Sequence, residues 1–120
     1  MAETWETRRD GDGLVEWGEL LLRREHDDGT YSISLYGELD MATAPGLEEE
    51  LSRAESTDAQ SIILDLSGLD FIDSAGVAVV IRAATRASAD SNRLALLRGS
   101  EGVDRLFALL GLHEHLPFAD

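Results

Sequence analysis

The sequence predicts an α/β domain in which a mixed β-sheet is flanked by helices, in the order β-β-α-β-α-β-α. Two observations carry this prediction. The Asp-Gly of "DDGT" lies between two strand-like segments and indicates an antiparallel hairpin near the start of the domain. After the hairpin, helical and strand-like segments alternate, which is typical of strand-helix-strand units with right-handed crossovers and a parallel portion of the sheet.

The first two strands are predicted in "ELLLRREH" and "YSISLYGELD". In the second segment Tyr31, Ile33 and Leu35 alternate with Ser32, Ser34 and Tyr36, so one face of this strand is expected to be buried. The two strands should pair antiparallel across the short turn.

The first helix is predicted in "TAPGLEEELSRAES". Thr43 can cap its N-terminus, Pro45 suits the first turn, and the glutamates at residues 48–50 lie near the positive end of the helix dipole. The acidic triplet is interpreted as a solvated face rather than a site. The stripe expected to face the core consists of Leu47, Leu51 and Ala54.

The segment "SIILDLS" is interpreted as a central strand that is covered on both faces. A helix over residues 74–88, a strand in "RLALLR" and a helix in "EGVDRLFALLGL" are predicted to follow. Gly111 is positioned to end the last helix. We also consider a short last strand near "HLPFA".

Residues 1–18 are predicted to be an N-terminal extension, disordered in part, and residues 19–120 a single domain. The extension has no sustained hydrophobic period and holds Trp5 and Trp17 among charges and the glycines of "DGDG". We expect Trp17 to dock on the domain as a packing anchor. The chain has no internal repeat and no low-complexity linker, and 120 residues suffice for one hydrophobic core.

The net charge of −14, from 10 Lys+Arg and 24 Asp+Glu, disfavours nucleic acid and membrane surfaces as partners. The favoured partner is a protein with a basic face. Cysteine is absent and every basic residue is arginine, so disulfides, thiolate metal sites and lysine Schiff bases are excluded. No apolar run is long enough to span a bilayer, and the start of the chain is charged, so we expect a cytoplasmic protein.

Ser74 lies where the segment "LDFID" meets the uncharged run "AGVAVV". We predict that Ser74 is the N-cap of the following helix. In open α/β sheets, functional groups gather where strands end and helices begin. A serine at that place is expected to be exposed, beside free N–H groups and the positive end of the helix dipole. A phosphate attached to it would then be tolerated locally.

The helix after Ser74 carries no charge before Arg82. Ala75, Ala78 and Val79 are expected on or near its outward side, where small residues allow another protein to approach closely. Two interpretations remain open: a contact patch for a partner, and a helix that is buried on two sides. The stripe predicted to face the core consists of Val77, Val80, Ile81 and Ala84.

Ser74 is a poor candidate for a hydrolase nucleophile, because "IDSAG" does not match the G-x-S-x-G elbow. Metal binding is also disfavoured, and we predict no enzymatic activity, no metal and no cofactor. The histidines do not have a spacing that points at Ser74: His26, His113 and His115. The candidate oxygen ligands do not match a calcium loop: Asp65, Asp70 and Asp73.

Three segments resemble the STAS-domain anti-sigma factor antagonists of bacteria. These segments are "LYGELDMATAPGLEEEL", "IILDLSGLDFIDSAGVAVVIRA" and "LALLRGSEGVDRLFALLGL". The resemblance covers roughly residues 19–120, and its most specific parts are "GELD" and the Asp-Ser-x-Gly segment. It implies a STAS-like domain and a switch protein rather than an enzyme.

The resemblance implies that Ser74 is phosphorylated by a partner that is both a serine kinase and an anti-sigma factor, and that a serine phosphatase reverses the modification. The unmodified form would bind the kinase and release the sigma factor. The nucleotide would belong to the kinase, so the chain itself would need no cofactor. The implied partner-binding residues are Asp40, Asp73, Ser74, Ala75, Gly76, Ala78 and Val79.

The sequence departs from the family at two positions. Ala75 stands where the family often has a second hydroxyl residue, and Ala78 stands where it commonly has glycine. Both positions bear on how a kinase would recognise Ser74. The alternative function is a STAS module that is not phosphorylated and binds a small ligand, or acts as a scaffold in a signalling or lipid-transport complex.

Overall fold

The computed structural model describes residues 13–90 and 93–119. Within these residues the chain forms five strands and three helices. The strands are β1 Leu14–Trp17, β2 Leu20–Asp27, β3 Thr30–Leu39, β4 Ser61–Ile72 and β5 Leu94–Leu97. The helices are α1 Ala44–Glu55, α2 Ser74–Ala89 and α3 Glu101–Leu109. None of the described helices has the length and apolar character needed to cross a membrane.

The five strands lie side by side in chain order. The first three pair antiparallel, whereas β3, β4 and β5 pair parallel, which confirms the predicted mixed sheet. The parallel half is built from two strand-helix-strand units, with α1 and α2 as their crossovers. Parallel pairing brings the carboxyl ends of β3 and β4 to the same edge, where Leu39 pairs with Ile72.

The hydrophobic core lies on one face of the sheet. Buried side chains alternate along β2 to β5 and form one cluster with the buried side chains of all three helices. The segment "SIILDLS" forms the first part of β4, and the prediction that this strand is covered on both faces is wrong. In β4, Ile62 and Leu64 are buried, whereas Ile63 and Asp65 on the opposite face are partly exposed. Asp65 shows that "SIILDLS" alternates between buried and exposed positions, so it is not a continuously buried apolar run.

The sheet begins before the boundary that was expected at residue 19. Strand β1 pairs with β2, with Leu14 opposite Arg23 and Trp17 opposite Leu20. Trp17 packs against the core, which confirms its docking, and its ring lies on Gly46 in α1. A Cβ at Gly46 would lie 2.2 Å from Cδ2 of Trp17, so glycine leaves the space that the ring needs. Trp5 lies outside the described residues.

The predicted hairpin between β2 and β3 is confirmed. Its two turn residues, Asp28 and Gly29, have φ of 51° and 82°. Two positive φ values are what a two-residue hairpin loop of type I′ requires, and Asp-Gly adopts them readily. The alternation in β3 is confirmed as well, because Tyr31, Ile33 and Leu35 are all buried.

The acidic triplet of α1 is not uniformly solvated, so its prediction as a solvated face is wrong at Glu50. Glu49 is exposed, but Glu50 is only 3% exposed. The Glu50 carboxylate accepts hydrogen bonds from Nε and Nη2 of Arg24, both at 2.8 Å, and from the Tyr31 hydroxyl at 2.7 Å. Residue 50 follows Leu47 by three positions and therefore shares the core-facing stripe of the helix.

The buried cluster of Glu50, Arg24 and Tyr31 joins the β2–β3 hairpin to α1. Burial of Tyr31, followed in size by its hydrogen bond to Glu50, raises the pKa of the Tyr31 hydroxyl above its usual value. The neutral hydroxyl is therefore the form that the fold favours. Arg53, three residues along α1, also lies 3.5 Å from Oε1 of Glu50.

Ion pairs join α1 to α2 on their outer sides. The Arg86 guanidinium lies 3.0 Å from Glu55 and 3.1 Å from Glu48, and Arg82 lies 3.4 Å from Glu48. The hydrogen bond to Glu55 is the main cause that raises the pKa of Arg86 above its usual value. Because α2 carries Ser74 at its first residue, this pairing helps to fix the helix on which the candidate site is built.

Helix α3 ends at Leu109, and Gly111, just beyond the C-cap residue Leu110, has the positive φ of 69° expected of a glycine that ends a helix. The chain then returns along β5, where the N–H of Leu96 donates to the Pro117 carbonyl and the N–H of Ala119 donates to the Leu96 carbonyl. The last strand considered near "HLPFA" is therefore reduced to one bridge between Leu96 and Phe118.

Candidate functional site

The two segments that the sequence singled out meet at one edge of the sheet. Strand β3 ends at Leu39, and the N–H of Asp73, just after β4, donates to the Leu39 carbonyl at 3.1 Å. Asp40 and Asp73 therefore directly follow the ends of two neighbouring strands. Such an edge, where parallel strands end and helices begin, is where functional groups gather in open α/β sheets.

The residue that caps α2 is Asp73, so the prediction that Ser74 is the N-cap is wrong. Asp73 has an extended backbone, with φ of −116° and ψ of −174°, and its Oδ1 accepts from the N–H groups of Ala75 at 2.9 Å and Gly76 at 3.1 Å. Ser74 is the first residue within the helix. A carboxylate can reach the second and third N–H groups from the N-cap, and here that leaves the serine hydroxyl unused.

Asp73 also links the start of α2 to the loop after β3. Its second oxygen, Oδ2, accepts from the N–H of Met41 at 3.2 Å. One carboxylate thus holds both the start of α2 and the loop that follows β3. Asp73 is a positioning residue for Ser74, because its hydrogen bonds decide where the first turn of α2 lies.

The loop after β3 is organised by Asp40. Its Oδ1 accepts from the N–H groups of Ala42 at 3.0 Å and Thr43 at 3.1 Å. The Thr43 hydroxyl accepts from the N–H of Asp40 and donates to the carbonyl of Glu38, each at 2.9 Å. Thr43 is the N-cap residue of α1, as predicted. Its side chain makes no capping hydrogen bond to the helix, because its hydroxyl is already engaged with Asp40 and Glu38.

Gly76 is required by the closeness of the two strands to α2. A Cβ at this position would lie 2.8 Å from Cγ of Leu39 and 2.9 Å from Cγ1 of Ile72. No side chain fits into that space without a shift of the strand residues. The first turn of α2 is thereby seated directly on the ends of β3 and β4.

The Ser74 side chain is exposed, as predicted, and its hydroxyl makes no hydrogen bond within the described part of the chain. The expectation of free N–H groups beside it is wrong for Ala75 and Gly76, whose N–H groups donate to Asp73. A group attached to Ser74 would therefore point into solvent, beside the Asp73 carboxylate. The favourable contribution that remains for an anion is the dipole of a 16-residue helix.

The outward face of α2 differs from the predicted one. Val79 is only 1% exposed, so its placement on the outward side is wrong, whereas Ile81, assigned to the core, is 36% exposed. The close contact at Gly76 fixes the rotation of the helix, and Val79 follows Gly76 by three residues and shares its face. Ala75 and Ala78 are partly exposed and remain on the accessible side with Ser74.

Two large apolar side chains flank the site, and the sequence pattern did not indicate them. Met41 is 76% exposed in the loop after β3, and Phe71 is 48% exposed near the end of β4. Phe71 lies opposite Glu38, directly after an irregularity in the pairing of β3 with β4. The available signal is the order "LDFID", in which both Phe71 and Ile72 are apolar although only one of two adjacent strand residues can face the core.

The groups considered for nucleophilic and metal chemistry do not assemble at Ser74. The His113 ring lies 2.9 Å from Asp104, and the His26 ring lies 5.2 Å from that of Tyr31. The Asp65 carboxylate accepts from the N–H of Ser67. Among the described residues, no cluster of three or more candidate ligands is placed to hold a metal ion.

The sequence matches the family model described as "STAS domain" over residues 22–120. Two similar relatives are proteins named anti-sigma-B factor antagonist. The one from Staphylococcus aureus (strain NCTC 8325 / PS 47) is 29% identical over 95 residues, which cover 79% of this chain and 88% of that protein. The one from Staphylococcus epidermidis is 30% identical over 89 residues, which cover 74% of this chain and 82% of that protein.

The fold is similar to that of a Bacillus cell fate determinant, the anti-sigma factor antagonist SpoIIAA, whose structure is known in two forms. The unphosphorylated form matches with a TM-score of 0.69 at 29% identity and covers 82% of this chain and 88% of that chain. The phosphorylated form matches with a TM-score of 0.63 at 29% identity and covers 82% and 91%.

Proposed function

Since the chain belongs to the STAS domain family and its relatives are anti-sigma factor antagonists, we propose that it controls a sigma factor by binding an anti-sigma factor. The partner is a serine kinase, and the unphosphorylated chain captures it so that the sigma factor is released. Phosphorylation of Ser74 by the kinase ends this binding, and a serine phosphatase restores it.

The observation that carries the proposal is the exposed hydroxyl of Ser74, the first residue of α2, which no other described residue engages in a hydrogen bond. Asp73 fixes the turn below this hydroxyl through three backbone N–H groups without using the hydroxyl itself. A fixed, accessible hydroxyl is what a kinase needs in an acceptor. A related anti-sigma factor antagonist with the same fold is known in a phosphorylated form, which supports this assignment.

In the proposed transfer, the Ser74 oxygen attacks the terminal phosphorus of the nucleotide that the kinase holds. The oxygen–phosphorus bond forms as the bond to the nucleoside diphosphate breaks, and the serine proton passes to a base of the kinase. In this proposal the chain supplies the acceptor hydroxyl, and the catalytic base belongs to the kinase. The nucleotide is therefore the kinase's, and this chain acts as a cytoplasmic regulator without a cofactor.

The phosphate acts as a switch because it places a bulky, charged group where the partner would otherwise make close contact. The neighbouring outward positions are Ala75 and Ala78, whose small side chains let a partner approach the first turns of α2 closely. A phosphate carries about 1.5 to 2 negative charges at neutral pH, and its burial in such a contact would cost a large desolvation energy. Because Ser74 points into solvent, the same phosphate leaves the fold intact.

The expected partner surface is basic. The segments "GELDMAT" and "LDFIDSAGVAVVI" together hold four carboxylates and no basic residue. With a net charge of −14, the chain should associate faster with a cationic face and should repel nucleic acid and anionic membranes.

Release of a sigma factor tests this function. A preformed complex of a sigma factor with its anti-sigma factor kinase, from the source organism, is titrated with the chain, and the release of labelled sigma factor is followed by fluorescence anisotropy. We expect the parent chain to release the labelled sigma factor. Ser88→Ala, a change at the exposed far end of α2, should release it equally well.

Intact complexes for every such pair at saturating excess of the chain would contradict the proposal. If the chain also carries a small molecule in native mass spectrometry, the alternative of a STAS module that is not phosphorylated is favoured instead.

A further inference from the structure

An apolar groove lies beside the Ser74 site. It has a volume of about 340 Å³ and runs between the last residues of β4 and the outer side of α3. Its main lining residues are Asp70, Phe71, Ile72, Gly102, Leu106 and Leu109. Phe71 is 48% exposed and Leu109 is 74% exposed, so the groove presents large apolar side chains that the core of this chain does not use.

The groove and the first turn of α2 contact the same buried side chain. Ile72 lines the groove, and the same side chain lies against Gly76, where an added Cβ would be 2.9 Å from its Cγ1. Ser74 follows Ile72 by two residues and is exposed at the same edge of the sheet. A partner seated on Ser74 therefore has the groove at its side.

The charges around the groove indicate what fits there. Asp70 lines the groove on the β4 side and Arg105 lines it on the α3 side, while Asp40 and Asp73 lie at the Ser74 site itself. A segment that spans the Ser74 site and the groove thus meets the carboxylates of Asp40 and Asp73 at the site and that of Asp70 beside Phe71. An apolar side chain that is flanked by a cationic one matches this arrangement.

We propose that this groove is a second anchor for the anti-sigma factor, which inserts an apolar side chain flanked by a basic residue between Phe71 and Leu109. This inference rests on the proposed function and deepens it. Anchors of this kind, a large apolar side chain in a pocket surrounded by polar groups, carry much of the energy in protein interfaces. The anchor is separate from the hydroxyl of Ser74 and supplies affinity, whereas Ser74 supplies the switch.

The test is a pair of matched variants on one helix end. Leu109 lines the groove, and its neighbour Leu110 is 51% exposed and does not. The Kd of the purified anti-sigma factor is measured by calorimetry for the parent chain, Leu109→Glu, Leu110→Glu and Ser74→Asp. We expect Leu109→Glu to weaken binding by about tenfold or more and Leu110→Glu to change it by less than about twofold. Both side chains are exposed, so both variants should keep the parent melting temperature.

Equal effects of the two leucine variants, whether both weak or both strong, would overturn the anchor. If Ser74→Asp abolishes binding while Leu109→Glu binds like the parent, the anchor fails and the proposed function stands. If Leu109→Glu loses binding while Ser74→Asp keeps it, the anchor stands and the switch function fails. If the parent binds no anti-sigma factor, both are overturned. A parent chain that sediments as a dimer, and a Leu109→Glu monomer, would assign the groove to a second copy and overturn the anchor.

Discussion

Replacing Ser74 with Asp is expected to weaken binding of the anti-sigma factor kinase by roughly a hundredfold or more, which corresponds to about 3 kcal/mol. The new carboxylate brings a charge and a larger side chain to a point where Ala75 and Ala78 allow the partner to approach closely, and desolvation of that charge is costly. Ser74→Ala should bind like the unmodified chain in the presence of nucleotide and should stay bound. Calorimetric titration of the purified kinase measures both affinities.

The control for added charge is Ser88→Asp, at the exposed far end of the same helix. It should leave the affinity within about twofold of the parent, because it lies four helical turns from Ser74. All three variants should melt close to the parent temperature, because neither serine is buried. Equal binding by Ser74→Asp and Ser74→Ala would show that a negative charge at Ser74 does not switch off kinase binding.

Replacing Glu50 with Ala is expected to lower the free energy of unfolding by about 3 to 5 kcal/mol. The change removes the acceptor for the Tyr31 hydroxyl and the carboxylate that pairs with Arg24, and both interactions are buried or nearly so. Glu50→Gln should lose less, since an amide oxygen can still accept from Tyr31. Urea denaturation at neutral pH measures the unfolding free energies of the parent chain and of the two Glu50 variants.

Glu49→Ala is the matched control, because Glu49 is the neighbouring glutamate on α1 and is exposed. Its unfolding free energy should lie within about 0.5 kcal/mol of the parent. A loss at Glu50 no larger than at Glu49 would mean that the buried cluster does not fasten the hairpin to α1. The cluster lies away from Ser74, so folded Glu50→Gln should bind the kinase normally.

Local signals in the sequence predicted the hairpin and the order of elements from β2 onward, but not β1. Asp-Gly fits positive φ at Asp28 and Gly29, and the alternation around Ile33 follows from a single strand. The error at Glu50 arose because three adjacent glutamates were treated as one solvated face. Its spacing from Leu47 placed it in the core stripe, but its partners, Arg24 and Tyr31, come from strands that only the tertiary fold brings near.

The placement of Asp40 and Ser74 at the edge where the strands end could be predicted, because the topology alone brings them there. The details of the site were harder to predict. The rotation of α2, which buries Val79, is set by the contact of Gly76 with the ends of two strands. The groove beside Phe71 is formed with α3, which lies far along the chain, and no periodicity within "LDFID" encodes that contact.

Phosphate transfer to the purified chain decides whether Ser74 is the acceptor of a switching phosphate. The chain is incubated with the anti-sigma factor kinase and ATP, and tandem mass spectrometry assigns the phosphate. We expect one phosphate, on Ser74, and loss of kinase binding by the modified chain. A chain that stays unmodified, carries the phosphate at another residue, or keeps its affinity when Ser74 is phosphorylated would contradict this role of Ser74.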